Sequence, residues 1–455
     1  MPLRFLFALL TITASGYWLL TFIVKDLKKF SLYELIALTF GIGCGIINFQ
    51  MGIMSLLKIK FSIGSLLLFQ SPLHIIGVSR VFKKGFSYNE FKITKPSAME
   101  TVLLFLILFT VISVILEAIS MPFAVWDSWS VWGYKATIIF SQRGIDQRIF
   151  QDFRTGGSYN PHYPLLFPLS EAYIWFFQGS IHEPSAKLFS ALFFIALLAI
   201  FYCLLRKVFK RLFALGFTFL LSSLSPLVHS ASIGYVDVPM AFYITTAVLY
   251  LWLYLRDADF SYFLLACLFL GIGMWTKNEG ASQWIAVVAS FLLLMWRKKI
   301  AFSRKNLFYL IAIPLAIYLP WIIFRISKGF WALKLGDAFD EKFRWGEMGR
   351  LPMILTLFIQ PVVDVRSWSL LWLVFVMTIL LSFKARNLFL LYFIALQSVL
   401  YVVVYFFWPQ PMPTLQWNIG NSLSRTLSEI APIVLFFIAQ QLRERFMLSS
   451  ETAKE

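Results

Sequence analysis

The sequence predicts an all-α polytopic membrane protein, with about thirteen transmembrane helices and a large outer loop carrying interfacial helices. Three observations carry that prediction. First, 59% of the 455 residues are hydrophobic and only 14% charged, against about 45–50% and about 25% in soluble domains. Mean hydropathy is +0.76, more apolar surface than one water-soluble core can bury. Second, the apolar residues are gathered into runs of ~17–25, the length that crosses a bilayer as a helix. Third, the cations behind the net charge of +17 fall in short connections between those runs. That is how a membrane protein marks its cytoplasmic side, and it argues against a nucleic-acid surface.

Taken in order, spans are expected near 3–24, 32–56, 62–79, 100–119, 185–205, 212–229, 238–255, 260–276, 281–296, 306–325, 367–383, 387–408 and 426–442. The first run lacks an obvious small-residue cleavage site and is kept as a helix. Cations gather at Lys25/Lys28/Lys29, Arg80/Lys83/Lys84/Lys92/Lys95, Arg206/Lys207/Lys210/Arg211, Arg297/Lys298/Lys299/Arg304/Lys305, Lys384/Arg386 and Arg443/Arg445. These clusters occupy alternate connections, so threading about thirteen spans puts them on one side, with the N-terminus outside and the C-terminus inside. The other short connections hold only Lys58, Lys60, Lys277 and Arg425. Cys44, Cys203 and Cys267 lie within apolar runs and read as small core residues.

Two long connections, 120–184 and 326–366, face outward. The second interleaves Trp331, Phe339, Phe343 and Trp345 with Asp337, Asp340, Glu341, Lys342, Arg344, Glu347 and Arg350, a mixture that suits amphipathic interfacial helices. The first carries Trp126-Asp127-Ser128-Trp129-Ser130-Val131-Trp132-Gly133-Tyr134-Lys135 and, further on, Asn160-Pro161-His162-Tyr163-Pro164. Its tryptophan spacing predicts a short helix along the membrane surface, where an indole keeps its ring dry and its N–H wet.

Ionisable groups at membrane depth cost at least ~2.5–3.5 kcal/mol each, so they tend to have partners or tasks. Those of interest cluster at the expected outer helix ends: Glu117, Asp127, Lys135 and His162, then Asp237, then Lys277 and Glu279, and finally Arg425. Each has a plainer reading. Asp127 and Asp237, the latter two residues before Pro239, equally suit helix N-caps. Lys277, Glu279 and Arg425 equally suit snorkelling or capping at the interface. His162 reads as packed in a proline-bracketed loop, and the Trp126/Trp129/Trp132 stripe as an interface anchor. His162, His182, Glu183 and His229 match no metal-ligand spacing, so no metal and no other cofactor is expected.

Together these pieces resemble the GT-C glycosyltransferases, specifically bacterial members related to protein O-mannosyltransferases and lipid A aminoarabinose transferases. The pieces are Trp126-Asp127-Ser128-Trp129, His162-Tyr163-Pro164-Leu165-Leu166-Phe167-Pro168, Gly234-Tyr235-Val236-Asp237-Val238-Pro239, Trp275-Thr276-Lys277-Asn278-Glu279-Gly280, and Ser422-Leu423-Ser424-Arg425 with Pro432. The resemblance implies an active site on the outer, periplasmic face of the cytoplasmic membrane. It implies a polyprenyl-phosphate sugar donor, with Asp127 as catalytic acid residue and Lys277 and Arg425 on the donor phosphate. Glu117, Trp126, Lys135, His162, Tyr163, Asp237 and Glu279 are then candidate substrate contacts. The chain divides into three leading helices with a basic linker (1–97), a GT-C-like catalytic region (98–445) and a cytoplasmic tail (446–455). The three leading helices depart from the family pattern, and no motif identifies the acceptor, which is a glycan, lipid or protein.

The chemistry is coherent on its own terms. A lipid phosphate leaves as an anion and needs fixed positive charge, while an acceptor hydroxyl needs a base. One carboxylate and a cationic clamp suffice for displacement with inversion. A retaining route would need a second carboxylate, Glu117 or Asp237, within ~5 Å of the sugar carbon. The rivals are a transporter or flippase of lipid-linked sugars, which calls for ionisable groups at mid-membrane depth, a glycan ligase or polymerase using a lipid diphosphate, and an inactive scaffold.

Overall fold

The computed structural model describes residues 2–84, 88–89, 95–151, 160–300, 302–327, 349–382, 388–408 and 412–452. Apart from one isolated bridge between Ser31 and Asn89, the regular structure of these residues is helical. A helix satisfies its backbone internally, which an apolar solvent demands. Helices α1 (Pro2–Ile23), α2 (Leu32–Leu56), α3 (Ile63–Lys84) and α4 (Ala98–Ser120) fall on the first four expected spans. Ser31 and Ser97 open α2 and α4 through capping boxes with Glu34 and Glu100.

The region expected as an outer loop over 120–184 is largely folded. A π-helical turn, Asp127–Gly133, runs directly into α5 (Tyr134–Gln142). After it comes α6 (Leu166–Gln178), buried along its whole length and packed against α1, α2, α5 and the next helix, α7 (Glu183–Arg206). The correction has a local cause: α6 is apolar on nearly every side, so it is drawn into the interior although it is too short to span.

Helices α8 (Arg211–Ser222) and α9 (Ser225–Ile233) replace the single span expected at 212–229, bending by 64° where the chain breaks before Pro226. There follow α10 (Asp237–Asp257), α11 (Phe260–Thr276), α12 (Glu279–Trp296), α13 (Arg304–Ser327), α14 (Arg350–Val363), α15 (Leu371–Ser382), α16 (Leu388–Phe406) and α17 (Met412–Thr452). Among the described residues ten helices are long and apolar enough to cross a membrane, or eleven with the bent pair as one span. The apolar helices Phe260–Thr276 and Leu371–Leu380 are shorter, which is why the count of thirteen is not reached. Of the interfacial helices expected over 326–366, residues 328–348, with Trp331, Phe339, Phe343 and Trp345, lie outside the described residues. So do Lys92, Lys384 and Arg386.

Helices α7, α10 and α17 form the inside of the bundle, and α3 and α4 lie at its outer surface. The leading helices are bonded into this body. Buried Glu34 of α2 accepts a hydrogen bond from the Tyr250 hydroxyl of α10 at 2.6 Å and pairs with Lys207 at 3.1 Å. The Tyr243 hydroxyl donates to the Gly41 carbonyl at 2.9 Å, Lys29 pairs with Asp259, and Thr11 bonds Tyr173 of α6 at 2.9 Å. The Glu34–Lys207 pair and the Lys29–Asp259 pair mark the basic end of the bundle. Asp237, at the opposite end of the 21-residue α10, is therefore ~30 Å away.

Candidate active site

At that far end five chain segments converge, each for a local reason. Gly234 ends α9 in the left-handed conformation, φ +81°, which glycine adopts without strain. This lets the chain reverse and start α10 at Asp237. Thr276 ends α11, and Lys277 is extended, turning its side chain inward. Gly280 then lets α12 leave close beside α11: a Cβ there would meet the Gly273 carbonyl oxygen at 2.4 Å. Asp127 opens the wide π-helical turn after α4, a distortion that recurs at functional sites. Arg425 and Glu429 lie one turn apart on α17, so both face the same way.

The result is a continuous ion-pair network. Lys277 Nζ contacts Asp237 Oδ1 at 2.9 Å, Glu429 Oε1 at 2.9 Å and Glu279 Oε1 at 3.0 Å. Arg425 grips Asp237 Oδ2 through Nη2 at 3.0 Å and Nε at 3.1 Å, and meets Asp127 Oδ2 through Nη1 at 2.6 Å. The Tyr235 ring covers one face of the guanidinium, its centroid 4.0 Å away. Gln283 Nε2 donates to Glu429 Oε2 at 2.7 Å. Side-chain exposure divides the network: Asp237 and Glu429 are at 0% and Lys277 at 6%, while Glu279, Arg425 and Asp127 reach 22%, 23% and 27%. Asp127 and Arg425 form its accessible edge.

The structure thus brings together Asp127, Asp237, Lys277, Glu279 and Arg425, and it places Tyr163 beside them. Burial pushes the Tyr163 hydroxyl well above the ordinary tyrosine range, reinforced by the Glu279 carboxylate. Lys277, expected on the donor phosphate, is here paired with carboxylates. Its Nζ donates to Asp237 and Glu429 and stands in ion-pair contact with Glu279. Although burial works against its charge, Asp237, Glu279 and Glu429 hold the ammonium well above the usual lysine range. Neither aspartate is an N-cap: Trp126 and Val236 hold those positions, and Asp127 and Asp237, the first residues of their helical turns, bond to cations.

The other expected contacts have partners outside the ion-pair network. Glu117 is exposed on α4 and interacts with Lys187, whose Nζ donates to the Met121 carbonyl. Lys135 is fully buried, donating to the Asn160 carbonyl at 2.7 Å between the Trp132 and Tyr163 rings. Burial lowers its pKa to about 7. His162 stacks on Tyr163 at 5.3 Å, the packed arrangement expected of it. Trp126 and Trp129 are exposed and pair edge-on, as interface anchors would, but Trp132 is buried against Tyr163 and Phe167.

Two members of the network escaped the sequence reading. Glu429 is an acid in an apolar helix exactly one turn after Arg425, and that spacing was its available signal. Tyr235 stands two residues before Asp237, and no sequence pattern announces its stacking on Arg425. Among the described residues no group of three or more His, Cys, Asp or Glu side chains is arranged to hold a metal ion. Chemically, the network offers two partly exposed carboxylates, Asp127 and Glu279, one partly exposed guanidinium, and a buried scaffold of charge that fixes them.

Residues 164–324 match the family model of dolichyl-phosphate-mannose-protein mannosyltransferases, a segment that includes Asp237, Lys277 and Glu279. The described chain is similar to ArnT from Cupriavidus metallidurans bound to undecaprenyl phosphate, with TM-score 0.50 and 14% identity, covering 78% of this chain and 64% of that one. The apo form of ArnT gives TM-score 0.49 and 15% identity over 77% and 63% of the two chains. The archaeal oligosaccharyltransferase AglB from Archaeoglobus fulgidus, in complex with an inhibitory peptide and a dolichol-phosphate, gives 0.42 and 15% over 79% and 52%. At such identities the likeness is one of fold, and the chain spans about two-thirds or less of each neighbour's length. No curated protein matches the chain. The fold is that of the GT-C membrane glycosyltransferases, as the sequence resemblance implies.

Proposed function

We propose that this integral membrane protein is a glycosyltransferase that moves a sugar from a polyprenyl-phosphate donor to an acceptor hydroxyl or amine. The observation that carries the reading is the 2.6 Å contact between Asp127 and Arg425 at the accessible edge of an otherwise buried ion-pair network. The match to a family of polyprenyl-type mannosyltransferases and the fold shared with a protein bound to undecaprenyl phosphate support the donor class.

In this reading Arg425 holds the donor phosphate, a planar fork suited to phosphate oxygens. Lys277 does not touch the donor; it fixes Asp237, Glu279 and Glu429, and through Asp237 it fixes Arg425. Asp127 takes the proton of the acceptor as its oxygen or nitrogen bonds to the anomeric carbon. The bond from that carbon to the phosphate oxygen breaks, and the phosphate leaves as an anion stabilised by Arg425. Asp237 is fully buried and bonded to both cations, and Asp127 acting as a base rather than a nucleophile fits a displacement with inversion. Glu279 keeps a buried oxygen, Oε2, without a partner, which can accept a bond from a substrate hydroxyl.

The network stands at the bundle end opposite Lys29, Lys207 and the other cations of the basic connections. By the positive-inside rule that end faces outward from the cytoplasmic membrane, with the N-terminus outside and the C-terminus inside. The test is label transfer from a panel of radiolabelled polyprenyl-phosphate sugars to membrane extract. Asp127→Asn should lower turnover by about 10²–10⁴-fold with the fold retained. Folded wild-type protein that transfers from no donor, or an Asp127→Asn variant that keeps its rate, would refute the reading. Movement of the intact lipid from one leaflet of a vesicle to the other, with no label transfer, would point to a flippase instead.

A further inference from the structure

We infer that Asp127 is the built-in competitor of the donor phosphate: arrival of that phosphate at Arg425 displaces Asp127 and thereby releases the base, so donor binding precedes acceptor activation. The inference rests on the proposed glycosyltransferase reading and assigns a regulation to its site.

The argument begins with charge. The network holds four carboxylates, Asp127, Asp237, Glu279 and Glu429, against two cations, Lys277 and Arg425. Among the described residues, an anionic phosphate therefore meets no spare positive charge in this network unless an internal carboxylate gives way. Lys277 does not supply it: its Nζ donates to Asp237 and Glu429, pairs with Glu279 at 3.0 Å, and is almost fully enclosed. Arg425 is the reachable cation, but Tyr235 covers one face of its guanidinium, and Asp237 takes Nε and Nη2.

The two carboxylates on Arg425 are not equally held. Asp237 is completely buried and shared with Lys277, so moving it breaks contacts to two cations. Asp127 is more than a quarter exposed, and among the described residues its ion pair is with Arg425. It also sits at the first residue of a π-helical turn rather than inside a packed span. Asp127 is thus the carboxylate that leaves. While bonded to Arg425 at 2.6 Å its Oδ2 faces the guanidinium rather than an acceptor. Once displaced it is an unpaired carboxylate beside the anomeric carbon.

The test measures binding of farnesyl phosphate to full-length protein in nanodiscs by isothermal titration, for wild type, Asp127→Asn, Asp127→Ala and Arg425→Gln. Removing the internal competitor should tighten binding about tenfold in both Asp127 variants, the equivalent of ~1.4 kcal/mol from one charge-assisted bond. Arg425→Gln should abolish binding. Using two substitutions at Asp127 keeps the comparison open if either folds poorly. If wild type binds and Arg425→Gln does not, but neither Asp127 variant binds more tightly, the gate is overturned while the donor site stands. If wild type does not bind, or Arg425→Gln binds as well as wild type, the donor site fails and the gate with it.

Discussion

Lys277→Met tests whether that side chain is the keystone of the network or a ligand for substrate. The three oxygens that meet Lys277 Nζ lie at 2.9, 2.9 and 3.0 Å. Arranged tetrahedrally about one nitrogen, they stand roughly 4.7 Å apart, and two unit charges at that spacing repel by ~3.5 kcal/mol at an effective dielectric of ~20. Without the ammonium, holding all three ionised is more costly than letting one take up a proton. Protonating an ordinary glutamate at pH 7 costs ~3.7 kcal/mol, from its usual pKa of ~4.3. The variant should therefore lose ~3–5 kcal/mol, the range found when one partner of a buried pair is removed. The sign with pH follows: the deficit is full near pH 7 and shrinks towards about pH 5, where the proton is cheaper to bind. Adding Glu429→Gln should restore roughly 1–3 kcal/mol by removing one of the stranded acids. Unfolding in detergent micelles at about pH 7.5 and about pH 5 measures all three quantities. A Lys277→Met protein within about 1 kcal/mol of wild type, with a deficit indifferent to pH, would refute the structural role and return Lys277 to the donor phosphate.

Three further outcomes follow from other parts of the fold. Lys135, with its pKa lowered to about 7 by burial, lacks between pH ~7 and ~10 a proton that the unfolded chain still holds. It therefore makes stability rise with pH over that window. Lys135→Met should remove up to ~1.4 kcal/mol per pH unit of that slope, read from melting temperatures across the range. Tyr250→Phe deletes the 2.6 Å hydrogen bond to buried Glu34 and should destabilise by ~1.5–3 kcal/mol, with equilibrium unfolding as the check. Gly280→Ala drives a methyl to 2.4 Å from the Gly273 carbonyl oxygen, so it should cost ~1–3 kcal/mol and lower the melting temperature.

Much of this molecule is legible without coordinates, because a bilayer is a uniform solvent that selects residues by local composition. The runs at 3–24, 32–56 and 100–119 became α1, α2 and α4, and the cations at 25–29 and 206–211 marked one end of the bundle. The same logic separated Asp127, Asp237, Lys277, Glu279 and Arg425 from the apolar background, since ionisable groups in such a setting are conspicuous one residue at a time. What composition does not contain is who meets whom. Asp127 and Arg425 lie 298 positions apart, and their contact depends on how α10, α12 and α17 are rotated about their axes. That rotation decided that Lys277 is enclosed by three acids, that Glu429 and Tyr235 belong to the network, and that Glu117 and Lys135 do not. It also drew α6 into the interior, where its apolar sides found neighbours from four other helices. Hydrophobicity is a property of a segment and can be read along the chain. Pairing of charges depends on distances of a few ångströms, and only the packed bundle sets those.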